Sequence, residues 1–373
     1  MTAQRALMPD YLRLFALFGI VVVNVQFMAY PIEQGFVGAT HQGPADAVAA
    51  WLVGGLALLK SYGLFSFMFG VGLAFQMRSA ERRGLAFGQL YRNRMIGLAL
   101  FGLVHGLLFF PGDILVVYAI TGAILYRVRA WPAGRLIRLG TILLVVQLVL
   151  TMAMMTAFPT APTEAAELER YVMTEGSMAQ VMGFRAVIFA IAFIFVLLSQ
   201  GLAALGWFCL GLAAVKSGLI DEPGHPVWQQ ARRWCLVPGV ALSLAAAAVW
   251  QWRDPLMGEL LVVLVAPLTT LGYLGLIAAL ARPPGPFMAR LLTAGGSSLT
   301  VYLGQSIVLS TIFAPYGLGL WDGVGPAAAV LTAIGVTIVL IAFVALWRTR
   351  FAQGPFEWAL RWISRRGVET QKG

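Results

Sequence analysis

Charged side chains are scarce in this chain: Asp, Glu, Lys and Arg make up 11% of its 373 residues, against 60% hydrophobic ones. A soluble fold of that composition could not cover itself with polar groups, so lipid is the expected solvent. Cysteine is nearly absent. Cys209 and Cys235 each fall in or beside an apolar run, which excludes a disulfide framework and reads as two free thiols. The three histidines, His41, His105 and His225, fall on different sides of the expected topology, and no group has metal-ligand spacing. A phosphate-binding loop, a dinucleotide fingerprint, a nucleophile elbow, an internal repeat and a low-complexity tract are also missing. No cleavable signal peptide is evident, because the first apolar stretch lacks a small-residue cleavage site and is expected to remain as the first span.

What is present is a series of long, continuous apolar runs without the two-residue alternation of barrel strands, which predicts an all-α, polytopic membrane helical bundle. Spans of roughly 20 apolar residues centre near residues 21, 68, 102, 120, 146, 208, 243, 270, 305 and 337. That gives about ten transmembrane helices. The net charge of +10 comes from basic residues in short loops, so it reports orientation rather than a nucleic-acid partner. With the N-terminus inside, the cytoplasmic segments hold all of the 26 basic residues except Lys60, Arg170, Arg185 and Arg253, with Arg5 and Lys372 among those inside. Acidic residues lean outward, as in Glu33, Asp46, Asp113, Glu164, Asp254 and Asp322. Both termini are therefore expected in the cytoplasm. A single membrane domain, 1–373, divides into a four-helix part, 1–130, with His105 and Asp113, and a six-helix part, 131–373, that ends in an amphipathic interfacial helix.

Two stretches exceed one perpendicular crossing. Ala47 to Met77 is interrupted by Lys60 and Gly63, and Phe184 to Lys216 by Ser199, Gln200 and Gly201. Each reads as an outer half-helix followed by a span, with a tilted continuous helix equally permitted. The Glu-rich segment from Ala161 to Ser177 is expected to form an external loop or short surface helix. The stretch from Gly354 to Trp358, followed by Arg361, Trp362, Arg365 and Arg366, has the pattern of an amphipathic helix at the inner interface.

Ionisable groups in hydrocarbon are costly, so each is a functional candidate. His105 lies in Gly102-Leu-Val-His105-Gly106, where two glycines permit close helix approach. It reads either as a general base or as a hydrogen-bonded packing histidine. Asp113 follows in the tight turn Phe109-Phe110-Pro111-Gly112-Asp113, where it can fix the imidazole tautomer or cap the next helix. Lys60 can bind an anion in the outer half of its span or snorkel to headgroups. Asn24 shares the outer half of the first span, with Asp10 and Arg13 at its inner end. Gln76, Gln147, Gln200 and Gln305 read as interhelical hydrogen bonds rather than ligands.

Asp10-Tyr-Leu-Arg13-Leu-Phe-Ala-Leu-Phe-Gly19-Ile-Val-Val-Val-Asn24 resembles the opening signature of the bacterial YeiB-like family, which contains a domain of unknown function. Leu64-Phe65-Ser66-Phe67-Met68-Phe69-Gly70 and His105-Gly106-Leu-Leu-Phe-Phe-Pro-Gly112-Asp113 agree in order. So do Leu299-Thr300-Val-Tyr302-Leu-Gly-Gln305-Ser306, Tyr316-Gly317-Leu-Gly319 and Gly354-Pro355-Phe-Glu357-Trp358. The family is more distantly similar to transmembrane acyltransferases, including the acyltransferase-3 family and heparan-α-glucosaminide N-acetyltransferase. That resemblance implies a bacterial inner-membrane, multi-pass protein with acyl-CoA, acetyl-CoA included, as co-substrate. In acyltransferase-3 members the first helix carries an arginine and, eleven residues on, a histidine. Here the pair is Arg13 and Asn24, and asparagine cannot act as a base.

Three readings follow. In transmembrane acyl transfer, His105 oriented by Asp113 deprotonates a small-molecule or glycan acceptor, and Lys60 or Asn24 stabilises the oxyanion. Arg13, Arg94 and nearby inner arginines would then hold the CoA phosphates. The second reading is a small-solute transporter or exporter, and the third a non-catalytic lipid- or partner-binding protein. The bilayer is the one partner all three require, no nucleic acid is expected, and a homodimer is compatible with each.

Overall fold

The computed structural model describes residues 7–34, 43–157 and 163–368, and every regular helix or span among them is helical in the expected sense, with no sheet between elements. Arg5, His41 and Lys372 lie outside the described residues, as do the side chains of Glu33 and Glu164. Helix α1 is Met8–Ala29 and α2 is Pro44–Leu52. The α2 helix runs through a π-helical turn, Val53–Ala57, into α3, Lys60–Glu81. Then come α4 (Phe87–Leu108), α5 (Leu115–Val128), α6 (Ala133–Ala157), the polar α7 (Thr163–Glu175) and α8 (Met178–Lys216). Short α9 (Pro226–Ala231) continues through a second π-turn into α10 (Val237–Trp252), followed by α11 (Pro255–Leu280) and α12 (Pro286–Gly295). The last three are α13 (Ser298–Phe313), α14 (Pro326–Trp347) and α15 (Pro355–Arg365).

Among the described residues, 7 helical stretches are long and apolar enough to cross a membrane: α1, α2 with α3, α6, α8, α9 with α10, α11 and α14. The ten expected centres are completed by α4, α5 and α13. Helix α4 carries Arg92 and Arg94 in its first turns, which lowers its hydropathy. The other two are short: at 1.5 Å per residue α5 spans only ~21 Å and α13 ~24 Å, against a ~30 Å hydrocarbon core. Neither crosses that thickness by itself as a helix. The turns beyond them fold into the protein, with Phe110, Asp113, Ile114, Ala314 and Trp321 all buried. Non-helical backbone at that depth is tolerated where protein covers it.

The first long stretch is broken, as expected. Around Gly54 and Gly55 the helix widens to π, and Leu59 adopts a left-handed φ of 63°. Carbonyls freed by the break find partners within the protein. The Lys60 Nζ donates to the Gly54 carbonyl at 3.0 Å, and the Tyr273 hydroxyl to that of Leu56 at 3.0 Å. The second stretch is one continuous helix of 39 residues, which corrects the half-helix reading. Ser199 donates back to the Phe195 carbonyl inside the helix, and Gly201 faces Val117 and Thr121 of α5. Its small residues serve packing, so they do not interrupt it.

Glycines set the closest crossing. A Cβ on Gly70 of α3 would land on the Phe208 carbonyl oxygen, and one on Gly211 of α8 would land on that of Phe67. The two backbones are in contact there, and Phe69 stacks on Phe208 with centroids 4.3 Å apart. Cys209, in the same crossing, is a free thiol, as is Cys235. At the basic end of the bundle, α15 lies across α4, where Leu360 and Ile363 close over Gly97. Glu357 holds α15 in place by accepting from the Leu299 and Thr300 amides at 2.6 and 3.1 Å and from the Thr300 hydroxyl at 2.6 Å.

Two outcomes are expected. Gly211→Ala lowers the thermal stability of the detergent-solubilised protein by about 1–3 kcal/mol through overpacking, whereas Gly335→Ala, which meets open space, does not. Glu357→Ala frees α15, and limited proteolysis should then cut the segment between α14 and α15 faster than in the wild type.

Candidate functional site

His105 sits one turn before the end of α4, about 16 Å along the helix from Arg94. The following turn brings Asp113 back onto it. The Asp113 carboxylate lies 2.8 Å from His105 Nδ1, and its other oxygen accepts from the Val116 amide at 3.1 Å, capping α5. Asp113 thus holds the imidazole and caps α5 at once, two contacts that the sequence allows together. Gly102 makes the approach possible, since a Cβ there would collide with Asp113 and the Val116 nitrogen. A carboxylate only accepts, so Nδ1 carries the proton, and in the neutral imidazole Nε2 is left with a lone pair. Both side chains are buried, each 2% exposed, and His105 Nε2 has no hydrogen-bond partner among the described residues.

A cavity of about 440 Å³ enters from the basic end of the bundle. Its mouth is lined by Arg13, Arg83, Arg94, Arg361 and Arg365, its interior by Phe65, Phe69, Tyr118 and Tyr302. From Ser79 to Phe65 it follows α3 for about 21 Å, more than half the hydrocarbon thickness. Tyr302 closes the inner end, and its ring centroid lies 5.2 Å from that of His105. The Tyr118 hydroxyl is 2.7 Å from Ser66 Oγ. Arg13 pairs with Asp10 at 3.4 Å. Among the described residues, Arg83, Arg94, Arg361 and Arg365 have no carboxylate within ion-pair distance. Partial burial and the neighbouring charges of Arg365, Arg83 and Arg348 hold the Arg361 guanidinium below the usual arginine range. An anion in the mouth would relieve that repulsion.

The structure brings His105 to Asp113 and Arg13 to Arg94, and it keeps Lys60 and Asn24 apart from both pairs. Lys60 is fully buried and bound to the α2–α3 break. Asn24 is half-buried on α1, next to Val23, which belongs to the cluster formed by the α2–α3 break, α10 and α11, and its side chain makes no hydrogen bond among the described residues. Of the four glutamines, Gln305 bridges helices, donating to Thr337 Oγ1 at 2.9 Å and to the Leu17 carbonyl at 3.3 Å. Gln76 and Gln147 bond within their own helices.

Sequence reasoning passed over Tyr118, Tyr302, Glu357 and Arg185. Tyr302 and Glu357 stand inside the blocks that carried the family resemblance, which was the available signal, and Tyr118 lies five residues beyond the end of the His105 to Asp113 block. Arg185 was assigned to the outer flank, yet it is buried and reaches α4 and α13.

Fold and site together define a polytopic α-helical membrane protein with a cation-lined cavity leading from its basic face toward a buried His–Asp pair. Residues 214–367 match the family model described as "Protein of unknown function (DUF418)". The chain is 31% identical over 389 residues to the uncharacterized protein YxaH of Bacillus subtilis (strain 168), covering 97% of this chain and 94% of that one. It is 29% identical over 389 residues to the uncharacterized protein YeiB of Escherichia coli (strain K12), covering 98% and 97%. The chain belongs to this YeiB-like, DUF418 family. No solved structure matches it.

A double-mutant cycle on His105→Ala and Asp113→Ala should give a coupling energy of about 1–3 kcal/mol, because either single change strands a buried polar partner. Additive effects in denaturation of the solubilised protein would contradict the pairing.

Proposed function

We propose that this membrane protein is a transmembrane acyltransferase that moves an acyl group from cytoplasmic acyl-CoA to an extracytoplasmic acceptor across a bacterial inner membrane. The observation that carries the reading is a single line of groups: unpaired arginines at the basic mouth, an aromatic inner end, and behind it a buried imidazole with a bare Nε2. Several guanidiniums without carboxylate partners suit a polyphosphate. The narrow apolar interior suits the arm and acyl chain that follow it.

In this reading Asp113 fixes the tautomer of His105, and Nε2 accepts the proton of the acceptor's hydroxyl or amine. The acceptor's oxygen or nitrogen bonds to the thioester carbonyl carbon as the carbon–sulfur bond breaks. The departing thiolate takes the proton from the imidazolium, so charge and atoms balance. Tyr302, between cavity and imidazole, is better situated than Lys60 or Asn24 to donate to the oxyanion. A solute-carrier reading would use the same cavity but needs a second state open to the opposite face.

Labelled acetyl-CoA should bind the purified protein, and Arg94→Gln with Arg361→Gln should weaken that binding about tenfold or more. His105→Ala should bind normally and transfer nothing to acceptors in a membrane extract. Transfer by His105→Ala at the wild-type rate, or no binding by the wild type, would sink the reading.

A further inference from the structure

Arg185 of α8 is the buried charge that the reaction above does not use. It is 4% exposed, and no carboxylate lies within ion-pair distance among the described residues. One amino nitrogen makes all its bonds: to the Leu108 carbonyl at 3.1 Å, Ser310 Oγ at 3.1 Å and the Tyr316 hydroxyl at 2.9 Å. All three acceptors are neutral. Nε and the second amino nitrogen have no hydrogen-bond partner among the described residues. Those three bonds and the Tyr316 ring, 5.9 Å from Cζ, answer one side of the guanidinium, but none of them carries a charge opposite to its own.

Its position gives the group a use. Leu108 is one turn outward from His105 on α4, and Phe189, one turn along α8 from Arg185, closes against Gly106. Ser310 lies two turns outward from Tyr302 on α13. The same three helices thus build two layers, with His105 and Tyr302 in the deeper one and Arg185, Ser310 and Tyr316 in the outer one. Ser310 Oγ and the Tyr316 hydroxyl are 3.1 Å apart and hold the guanidinium from one side, leaving the other edge of its fork free.

We propose that Arg185 is an anion-binding residue at the extracytoplasmic approach to His105, taking the phosphate or carboxylate of an acceptor so that its hydroxyl or amine reaches the imidazole. The acceptor's role rests on the acyl-transfer reading. The anion site does not, and it is tested without measuring transfer. The planar fork selects a bidentate oxyanion, and the ligand's phosphate can belong to a soluble acceptor or to a lipid headgroup.

The experiment is thermal unfolding of the full chain in neutral detergent against sodium phosphate, with sodium chloride at equal ionic strength as reference. An Arg94→Gln/Arg361→Gln background silences the inner arginines. A saturable rise in melting temperature is expected there, lost on adding Arg185→Gln. Arg185→Lys, which keeps the charge but not the fork, should raise the half-saturating phosphate about tenfold. Should Arg185→Gln not fold, Arg185→Lys is compared with Tyr316→Phe, which removes a neutral partner and should keep the response. A parallel titration with dihexanoyl phosphatidic acid separates the sources: a response to phosphate indicates a soluble acceptor, and a response to the lipid alone a headgroup. No saturable rise with either, or half-saturation unchanged in Arg185→Lys, overturns the proposal and leaves Arg185 as a clamp on the end of α4.

Discussion

Hydrocarbon offers no hydrogen-bond partner, and the architecture of this protein follows from that constraint. Each polar group within the bundle has to be answered by another part of the chain. Lys60 therefore lies on the carbonyl that its own helix break exposes, and Tyr273 covers a second one. Gln305 ties α13 to α1 and α14, and Thr270 returns its hydroxyl proton to the Ala266 carbonyl. Against that background the unanswered atoms are informative. Arg94 Nε and His105 Nε2 are both buried without partners among the described residues; Arg94 lines the cavity, and His105 lies behind the Tyr302 ring that closes it.

Stability gives no reason to keep such a passage. A buried ion pair or hydrogen-bonded pair seldom outperforms apolar residues of the same volume, whereas losing one member is costly. Removing both His105 and Asp113 in favour of leucine-like packing would suit a simple bundle better. Gly102 also forgoes a Cβ, and with it helix propensity, only to let Asp113 reach the imidazole. The pair does hold the imidazole in one orientation through Nδ1, with Nε2 left without a partner among the described residues.

The properties legible in the sequence are those set by composition and by short range. Apolar runs carried the all-helical, multi-span fold, because the bilayer imposes length and apolarity on every segment separately. His105 and Asp113 could be joined from eight residues of sequence because a tight turn leaves little freedom. Arg185 could not: its partners at Leu108, Ser310 and Tyr316 lie 77, 125 and 131 residues away. Positive-inside reasoning treats an outer arginine as a flank and has no means of seeing it buried. The continuity of α8 was hidden for a related reason, since Ser199 and Gly201 look alike whether they break a helix or pack one.

The role of α15 shows how far a local pattern underdetermines a site. Its tryptophans Trp358 and Trp362 are exposed, 65% and 57%, as an interfacial anchor requires. The same helix also walls the cavity with Arg361 and Arg365. Glu357 is the carboxylate that could have neutralised them. It accepts instead from the first amides of α13, where the helix dipole favours a negative charge. With the acid bound to a helix end, Arg83, Arg94, Arg361 and Arg365 have no carboxylate within ion-pair distance among the described residues. The arginines of that wall keep their mutual repulsion, in a position that a helix cap already holds.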